Sequence, residues 1–241
     1  MIRVALIGAS GRMGRAIAAA ALESPWKDSL RIAAPIGSVS SRQELETGIA
    51  AADVVVDFST AESVLRTGEA CVAAGKPLLV GVTGLPVSFK AAASAWSSQI
   101  ALLVAPNTSL GVAVLSRLVE EAARALGPAV DIRITEAHHA GKKDAPSGTA
   151  KALGEAIAAG RGAPLHESDF ASIRAGDIVG EHSVLFAAPG EQIVLAHRAT
   201  DRAVFARGAL KAALWLAGRK PGLFRMTDVL QKSDFGVDTR G

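Results

Sequence analysis

The sequence predicts an α/β fold in which a doubly wound parallel sheet is followed by a smaller α+β unit with an open mixed sheet. In the first hundred or so residues, short apolar runs alternate with Ala-rich stretches of helical composition. Parallel strands that helices cover on both faces have such continuously apolar runs. After Pro106 the pattern changes to longer helices and to strands in which polar and apolar residues alternate, as in a sheet with one face in water.

The first half of the chain alternates strand and helix in strict order. Pro25 is expected to end the first helix, and Ser59 and Thr60 are expected to cap the helix after the third strand, because hydroxyl oxygens accept from helix N–H groups. The predicted strands are residues 3–7, 30–36, 53–58, 78–82 and 100–105, and the predicted helices are residues 15–23, 61–74 and 89–97.

The second half predicts a different architecture. A long helix is expected to end at Gly127 and Pro128, and two strands are expected to form a hairpin around Gly180. The predicted helices are residues 111–126, 149–159 and 205–216, and the predicted strands are residues 131–136, 173–179, 181–187 and 192–199. The last helix and the tail are expected to return to the first domain.

Composition and charge argue against several classes of protein. The 241 residues carry a net charge of +3 and 4% aromatic residues, without a basic stripe, which argues against a nucleic-acid partner and favours small anions. The one cysteine, Cys71, is expected to be a small buried residue, so neither a disulfide nor a metal site is predicted. The sequence shows no signal peptide and no apolar run of about 18 residues, which predicts no membrane partner and a cytoplasmic location.

A glycine-rich loop follows the first strand and opens the first helix. Its sequence, GASGRMG, is a GxxGxxG variant of the dinucleotide fingerprint, in which glycines allow a tight turn and bring the backbone close to a pyrophosphate. Between a strand and a helix of an alternating pattern, the loop predicts a Rossmann-type nucleotide site. The expected contacts are Gly8, Ser10, Gly11, Arg12, Met13 and Gly14.

The end of the second strand indicates which nicotinamide cofactor is preferred. An acid about 20 residues after the glycine loop usually accepts from the adenosine ribose 2′-hydroxyl, but no acid stands between Ala34 and Arg42. Ser38, Arg42 and Arg12 would suit a 2′-phosphate instead, so NADPH is the expected cofactor and NADH the other candidate. The alternative is that Arg42 is simply solvated and both cofactors are used.

Two more loops are expected at the same edge of the sheet, because open α/β sheets bind ligands at the carboxyl ends of their strands. Phe58 and Ser59 follow the third strand, and Gly81 and Thr83 follow the fourth. Each pair could form only a turn. Their shared position predicts contacts to the nicotinamide ribose or carboxamide.

The most informative segment is EAHHAGKKDAPSGTA, from Glu136 to Ala150. It combines imidazoles, ammonium groups, carboxylates and hydroxyls, a mixture that a packed core does not tolerate without partners. Lys142 can neutralise a substrate carboxylate, and the adjacent histidines can move a proton near neutral pH. The segment therefore predicts a site for a small dianionic substrate, although Pro-Ser-Gly-Thr is also good chemistry for a plain helix cap.

Longer sequence motifs extend this pattern over nearly the full chain. The chain resembles the dihydrodipicolinate reductase family in GASGRMG, VDFST, GVTG, APNTSLGV, the polar segment, RAGDIVGEH and ALWLAGRKPGLFRMTDVL. Members of that family are nicotinamide-dependent reductases of 4-hydroxy-tetrahydrodipicolinate in diaminopimelate and lysine biosynthesis. The polar segment is highly specific to the family, whereas the glycine loop is not.

The resemblance implies a Rossmann-type domain of residues 1–108 and 203–241, and a substrate-binding and tetramerisation domain of residues 109–202. It further implies a homotetramer and a cyclic imine substrate that bears two carboxylates. His138 and Lys142 take the family's catalytic positions, and which of them delivers the proton stays open. The remaining family positions fall on Ala105 and Asn107 for the cofactor, and on Thr83, His139, Lys142, Ser147, Gly148 and Thr149 for the substrate.

The chain departs from the family pattern at three places. Ala140 and Gly141 replace an Arg-His pair, Thr60 replaces an arginine, and the acid used for NADH is missing after the second strand. A non-catalytic NAD(P) sensor therefore stays an alternative, as does another two-domain nicotinamide enzyme such as a semialdehyde dehydrogenase, for which Cys71 is poorly placed. His166, His182 and His197 are interpreted as structural.

Overall fold

The computed structural model describes residues 1–37 and 40–230, which form two compact units. The first unit comprises Met1–Ser109 and the chain from Phe205 onward, and the second comprises Leu110–Val204. Each unit contains its own buried hydrophobic cluster. Within the described ranges, no helix has the length and apolar character needed to cross a membrane.

A six-stranded parallel sheet forms the centre of the first unit. Its strands are β1 (Ile2–Ile7), β2 (Leu30–Ile36), β3 (Val54–Asp57), β4 (Leu78–Val80), β5 (Ala101–Val104) and β10 (Gly222–Phe224), in the spatial order β10-β5-β4-β3-β1-β2. Its helices are α1 (Arg12–Ala20), α2 (Arg42–Ala51), α3 (Val64–Ala74), α4 (Phe89–Ser97) and, after the chain returns, α7 (Ala203–Leu216). The predicted doubly wound parallel sheet is confirmed.

The central strands end in register at one edge of this sheet. Ile7 pairs with Asp57, Asp57 with Val80, and Val80 with Val104. These central strands are buried and apolar except for the exposed Arg3 of β1 and the buried Asp57 at the end of β3, and Cys71 of α3 is buried beside them as expected. Polar groups that could meet a ligand are therefore confined to the loops beyond the carboxyl ends of the strands.

Helix α2 is absent from the elements that the sequence patterns predict. Ser41 caps it by accepting from the N–H of Glu44, and the Glu44 carboxylate accepts in turn from the N–H of Ser41. This capping box has a recognisable Ser-x-x-Glu signature that stands in the sequence. The short helix places Arg42 at its first position.

The predicted cap of the next helix is wrong. Helix α3 begins at Val64, with Ser63 at the N-cap and no side-chain cap. Ser59 and Thr60 instead join Ser63 in a hydroxyl cluster, in which Ser63 Oγ lies 2.9 Å from Ser59 Oγ and 3.1 Å from Thr60 Oγ1. Because the backbone already turns at Thr60, whose carbonyl accepts from the N–H of Ser63, these hydroxyls belong to the turn before the helix.

The return of the chain adds a strand that the sequence patterns do not predict. Strand β10 pairs in parallel with β5, from Gly222 opposite Ala101 to Phe224 opposite Leu103. Phe224 packs edge-on against Trp215 of α7, with ring centroids 5.2 Å apart. A strand of three residues that begins with glycine carries little strand signal, so its pairing partner defines it.

The second unit is a mixed four-stranded sheet with two helices. Its strands are β6 (Asp131–His138), β7 (Phe170–Arg174), β8 (Gly180–Ala188) and β9 (Glu191–Ala199) in the order β7-β6-β8-β9, and its helices are α5 (Leu110–Leu126) and α6 (Gly148–Arg161). Strand β7 is parallel to β6, whereas β8 is antiparallel to both of its neighbours, β6 and β9. The predicted open mixed sheet is confirmed.

The predicted hairpin around Gly180 is wrong. Strands β7 and β8 lie on opposite sides of β6, where Ile134 pairs with Phe170 of β7 and with Val184 of β8. A hairpin instead joins β8 to β9 through Gly190, whose φ of +86° suits a tight turn. The strands adjacent in sequence do not pair here, because β6 lies between them.

Side-chain alternation places two polar residues on the buried face of β6. Ile132 and Ile134 pack into the core against α5 and α6, and Glu136 and His138 follow on the same face. In β8, His182 lies directly opposite Glu136. The buried face therefore changes from apolar to polar toward the carboxyl end of β6.

Candidate active site

The polar segment of the second unit is organised around the carboxylate of Glu136, which is 1% exposed. Its Oε2 lies 2.5 Å from His138 Nδ1 and 2.9 Å from Arg174 Nη1, and its Oε1 lies 2.7 Å from Arg174 Nη2. The backbone N–H of Ser147 donates to Oε1 at 3.2 Å. Burial by itself would raise the pKa of Glu136, but hydrogen bonds from Arg174, Ser172 and His138 lower it to about 2.

The imidazole of His138 lies between this carboxylate and Gly180. Its Nδ1 contacts Glu136, and its Nε2 would lie 3.2 Å from a Cβ placed at Gly180, so the glycine leaves room beside the ring. Burial lowers the pKa of His138, the hydrogen bond and the charge of Glu136 raise it, and the charges of Lys142 and Arg174 lower it, so the pKa lies below its ordinary value. His138 is therefore mainly neutral at neutral pH.

Lys142 lies in the turn that follows β6. Its backbone N–H donates to the carbonyl of His139, and its Nζ forms an ion pair with Asp144 Oδ1 at 2.8 Å. The hydrogen bond from Lys142 lowers the pKa of Asp144. Lys143 is exposed. The turn therefore contains two ammonium groups: the charge of Lys142 acts on His138, whereas that of Lys143 faces water.

Ser147 begins α6 and forms the third part of the cluster. Its Oγ accepts from the N–H of Ala150 at 3.2 Å and lies 3.3 Å from His182 Nε2. The cap chemistry predicted for this segment is confirmed. Gly148 and Thr149 are the first residues of α6, so their backbone lies at the positive end of the helix dipole, which suits an anion.

His182 belongs to the same cluster, although the sequence patterns favour a structural role for it. Its ring packs edge-on against His138, with centroids 5.1 Å apart at an interplanar angle of 75°. Burial and the nearby His138 lower the pKa of His182 to about 4, so the ring is neutral beside the Ser147 hydroxyl. Its position opposite Glu136 depends on the register of β6 and β8, which a single sequence does not reveal.

In the first unit, the glycine loop has a geometry that requires glycine. Gly8 has a φ of +79°, and a Cβ there would lie 2.6 Å from the carbonyl oxygen of Phe58. A Cβ at Gly14 would lie 2.2 Å from the carbonyl oxygen of Gly8. Gly11 is the N-cap of α1, and Arg12 and Met13 are its first residues. The loop fits the pyrophosphate of a dinucleotide at a helix N-terminus.

A cavity opens beside this loop at the carboxyl ends of β1, β2 and β3. Among the described residues that line it there is no acid, and its cationic side chain is Arg66 of α3. Hydroxyl groups make up much of the remaining polar lining, and they come from Ser10, Ser40, Ser41, Ser59, Thr60, Ser63 and Thr67. The chemistry of this lining suits a phosphorylated ribose better than a ribose that needs a carboxylate acceptor.

The residues expected to receive a 2′-phosphate are only partly at this cavity. Arg42 forms an exposed ion pair with Glu46, one turn further along α2, at 2.8 Å. Arg12 is exposed on α1, and Ser38 lies outside the described residues. Arg66 lines the cavity instead, and its signal in the sequence is its spacing of one helical turn from Ser63.

The loops after β4 and β5 reach the same edge of the sheet. The N–H of Gly81 bonds to β3 at 2.8 Å, and a Cβ at Gly81 would lie 2.3 Å from the Phe58 ring. Thr83 follows in an exposed turn. The N–H of Ala105 bonds to β4 at 2.9 Å, and the Asn107 side chain accepts from the backbone two residues on at 2.9 Å. These residues all lie beyond the carboxyl ends of neighbouring strands, where open α/β sheets bind ligands: Phe58, Gly81, Thr83, Ala105 and Asn107.

Comparison with known proteins identifies the family. The model of the N-terminus of dihydrodipicolinate reductase matches residues 2–108, and the model of its C-terminus matches residues 111–230. The chain belongs to the dihydrodipicolinate reductase family. The 4-hydroxy-tetrahydrodipicolinate reductase of Zymomonas mobilis is 44% identical over 95% of this chain and 97% of its own length. That of Xanthomonas campestris is 46% identical over 95% of this chain and 98% of its own length.

Solved structures agree with this assignment at the level of the fold. A dipicolinate-bound dihydrodipicolinate reductase from Paenisporosarcina sp. TG-14 has a TM-score of 0.74 at 21% identity, covering 93% of this chain and 97% of that chain. A probable dehydrogenase from Thermotoga maritima has a TM-score of 0.58 at 13% identity, covering 95% and 92%. The shared fold thus combines a parallel sheet with a second, mixed sheet.

In this dihydrodipicolinate reductase fold, the predicted site residues fall into two groups. The second unit brings His138, Lys142 and the start of α6 together, with the half-buried His139 in the same turn. The first unit collects the glycine loop and the loops after β3, β4 and β5 at one sheet edge. Glu136 and Arg174 also belong to the group in the second unit, although they are not among the predicted site residues. What indicates them in the sequence is their place in the polar segment and in the motif RAGDIVGEH.

Acid is expected to weaken the fold between about pH 6.5 and about pH 4 because of its buried histidines. Burial lowers the pKa of His182 to about 4, whereas an unfolded histidine titrates near 6.5. In this window the unfolded state binds a proton that the folded state excludes, so the free energy of unfolding falls as the pH falls. His138 and His197, whose pKa values burial also lowers, act in the same direction.

Urea denaturation at several pH values across this window measures the effect. His182→Gln should reduce the dependence of the unfolding free energy on pH, whereas His166→Gln, at an exposed position, should leave it unchanged. Equal slopes for wild type and His182→Gln would show that His182 is not held neutral in the folded chain.

Proposed function

We propose that this chain reduces 4-hydroxy-tetrahydrodipicolinate to tetrahydrodipicolinate with a nicotinamide cofactor, in diaminopimelate and lysine biosynthesis. The observation that carries the proposal is the cluster of His138, Lys142 and the start of α6 around the buried Glu136. It occurs in a chain whose two halves both match the reductase family. A neutral imidazole, an ammonium group and a helix N-terminus are the groups that a small cyclic dicarboxylate requires.

The second unit supplies most of the proposed substrate contacts. One substrate carboxylate binds at Ser147, Gly148 and Thr149, because the helix dipole and the polar cap favour an anion there. Lys142 neutralises negative charge, and His139 in the same turn adds a polar contact. In the first unit, the exposed Thr83 is assigned to the other carboxylate.

The chemistry divides between the cofactor and the protein. NAD(P)H, when bound, supplies the hydride that reduces the ring. His138 donates the proton that completes the reduction, or holds the group that donates it, through Nε2. Lys142 stabilises the charge that develops on the substrate. The burial of His138 and Glu136 strengthens these interactions by excluding water.

The first unit holds the proposed cofactor. The pyrophosphate lies at the glycine loop, formed by Gly8, Gly11 and Gly14, where a Cβ would fill the space that the backbone needs. Ser10, Arg12 and Met13 complete the loop. The nicotinamide end is assigned to Phe58, Ser59, Gly81, Thr83, Ala105 and Asn107 at the edge of the sheet.

NADPH is the preferred cofactor in this proposal, and the lining of the cavity supports it. Its described lining contains no acid to accept from a ribose 2′-hydroxyl, and Glu44 beside it is already used in the cap of α2. Arg66 lines the cavity and can pair with a 2′-phosphate. Arg42 can contribute if its exposed ion pair with Glu46 opens, since such pairs are weak.

The proposed assembly is a homotetramer formed through the second unit. Helices α5 and α6 cover one face of its sheet, and the other face carries exposed apolar side chains among polar ones. Leu185 pairs with Val194, which is 58% exposed, and Ile173 of β7 is 49% exposed. Exposed apolar patches on a sheet are typical of subunit interfaces.

The first prediction concerns the proposed site. His138→Ala and Lys142→Ala should each lower kcat on the order of 10²-fold or more, as the loss of an acid–base group or a charge stabiliser typically does. Lys143→Ala, the exposed neighbour, should retain wild-type turnover. The assay follows NADPH oxidation with substrate generated in situ from pyruvate and aspartate semialdehyde by a dihydrodipicolinate synthase.

Two outcomes of this assay would contradict the proposal. Near-wild-type turnover in either alanine variant would remove the role assigned to that residue. A folded wild-type protein that binds NADPH but does not oxidise it with this substrate would favour the non-catalytic sensor or a different substrate.

The second prediction concerns the cofactor. Arg66→Ala should lower kcat/KM for NADPH about tenfold, equivalent to about 1.4 kcal/mol, because one charge-assisted contact to the 2′-phosphate is lost. The value for NADH should stay unchanged, since NADH has no such phosphate. A wild-type ratio of NADPH to NADH at or below one would rule out the preference, and an equal loss with both cofactors would rule out the 2′-phosphate as the partner of Arg66.

The third prediction concerns assembly. Sedimentation velocity should give about four times the 24.6 kDa chain mass for the wild type. Val194→Glu should shift it to smaller species, because it buries a charge in the proposed interface. Val87→Glu is the matched control, since Val87 is 97% exposed in the first unit. A monomeric wild type at micromolar concentration would contradict the tetramer.

A further inference from the structure

Two charged side chains beside the proposed catalytic histidine make none of the contacts that the proposed function assigns to the substrate or the cofactor. Glu136 is buried on β6, and Arg174 ends the neighbouring parallel strand β7, directly opposite His138 in the sheet register. The Glu136 carboxylate and both terminal nitrogens of Arg174 are already engaged in contacts within the protein. Their arrangement therefore calls for a role that acts through other residues.

The carboxylate of Glu136 is enclosed by donors on all sides. Arg174 binds it with both terminal nitrogens, at 2.7 and 2.9 Å, which is the paired geometry that suits a guanidinium and a carboxylate. His138 Nδ1 lies 2.5 Å from Oε2, and the N–H of Ser147 lies 3.2 Å from Oε1. An ionised carboxylate only accepts hydrogen bonds, so the His138 nitrogen that faces it must carry a hydrogen.

We propose that Glu136 and Arg174 are positioning residues that hold His138 in its Nδ1–H tautomer and so leave the Nε2 lone pair for the substrate. The carboxylate fixes the Nδ1 hydrogen, and the guanidinium fixes the carboxylate. The side chain absent at Gly180 leaves space beside Nε2. A neutral His138 of this tautomer takes up a proton from solvent at the Nε2 lone pair, donates that proton to the hydride-reduced substrate and returns to the same neutral form.

The guanidinium also connects this pair to the lysine turn. Arg174 Nη2 donates to the carbonyl oxygen of Asp144 at 2.5 Å, and the Asp144 carboxylate holds Lys142 Nζ at 2.8 Å. The start of α6 is tied in through Ser147. One buried ion pair thus contacts the histidine strand, the lysine turn and the helix N-terminus, which are the three parts of the proposed substrate site.

A purely structural ion pair is the competing explanation. Breaking a buried pair destabilises a protein because it leaves a charge without a partner, and lost activity would then reflect lost fold. The tautomer of His138 separates the two explanations, since a structural pair has no need of one particular imidazole nitrogen. Enzymes set the tautomer of a histidine through the hydrogen bond of its other nitrogen.

The test observes the imidazole directly in the full-length protein. Long-range ¹H–¹⁵N correlation spectra of ¹⁵N-histidine-labelled chain distinguish a protonated from a bare ring nitrogen, with His138→Gln used to assign the signals. Wild type should show Nδ1 protonated and Nε2 bare. Glu136→Gln should move His138 toward the Nε2–H form or a mixture and lower kcat by about 10²-fold, with KM changing less. Glu155→Gln, at an exposed position on α6, is the matched control and should change neither.

Two further variants keep the test decisive if Glu136→Gln folds poorly. Glu136→Asp keeps the charge and should restore part of the Nδ1–H population. Arg174→Lys keeps one charge but loses the paired contacts and the bond to Asp144, so it should raise KM as well as lower kcat. An Nε2–H tautomer in the wild type, or a tautomer and kcat unchanged in Glu136→Gln, would overturn the proposal.

Because this inference rests on the function proposed for His138, the spectra and the assay report on different claims. An Nδ1–H tautomer that depends on Glu136, in a protein without reductase activity, would overturn the proposed reaction and leave the positioning role intact. Normal reductase activity in a protein whose His138 tautomer does not change in Glu136→Gln would overturn the positioning role and leave the proposed reaction intact.

Discussion

The buried carboxylate of Glu136 is the constraint on which the polar cluster of the second unit depends. A charge removed from water costs several kcal/mol unless close partners compensate for it. Those partners come from three separate pieces of chain: His138 on the same strand, Arg174 on β7 and Ser147 at the start of α6. The contacts that make the buried charge tolerable therefore also assemble the groups proposed for catalysis.

In the first unit, the close approach of backbone segments determines which residues the loops at the sheet edge can contain. Apart from Asp57 at the end of β3, its central strands are largely apolar and buried, so the polar loops gather at one edge where four strands end in register. Glycine is required there because the loops approach one another closely: Gly8 lies against the backbone after β3, and Gly81 lies against the Phe58 ring. Larger residues at either position would separate the loops that the proposed cofactor site needs.

Local patterns in the sequence predicted much of this architecture. The apolar runs predicted the parallel sheet, the glycine loop predicted the strand–turn–helix at Gly8, and Pro-Ser-Gly-Thr predicted the cap of α6 at Ser147. Helix α2 also had a local signal, its Ser41–Glu44 capping box, which the hydrophobic pattern obscured. Strand β10 and the pairing of β6 with β7 and β8 had no local signal. The three residues of β10 and the two neighbours of β6 are determined by hydrogen bonds to distant segments.

The sequence by itself therefore determined which residue types are present and which local elements they form, since caps, turns and periodicity act over a few residues. Only the tertiary structure decided that Arg174 meets Glu136, 38 residues away, and that His182 lies opposite it. It also decided that Arg66 lines the cavity while Arg42 pairs with Glu46. These contacts follow from strand order, register and helix packing, which depend on hydrogen bonds and burial between distant segments.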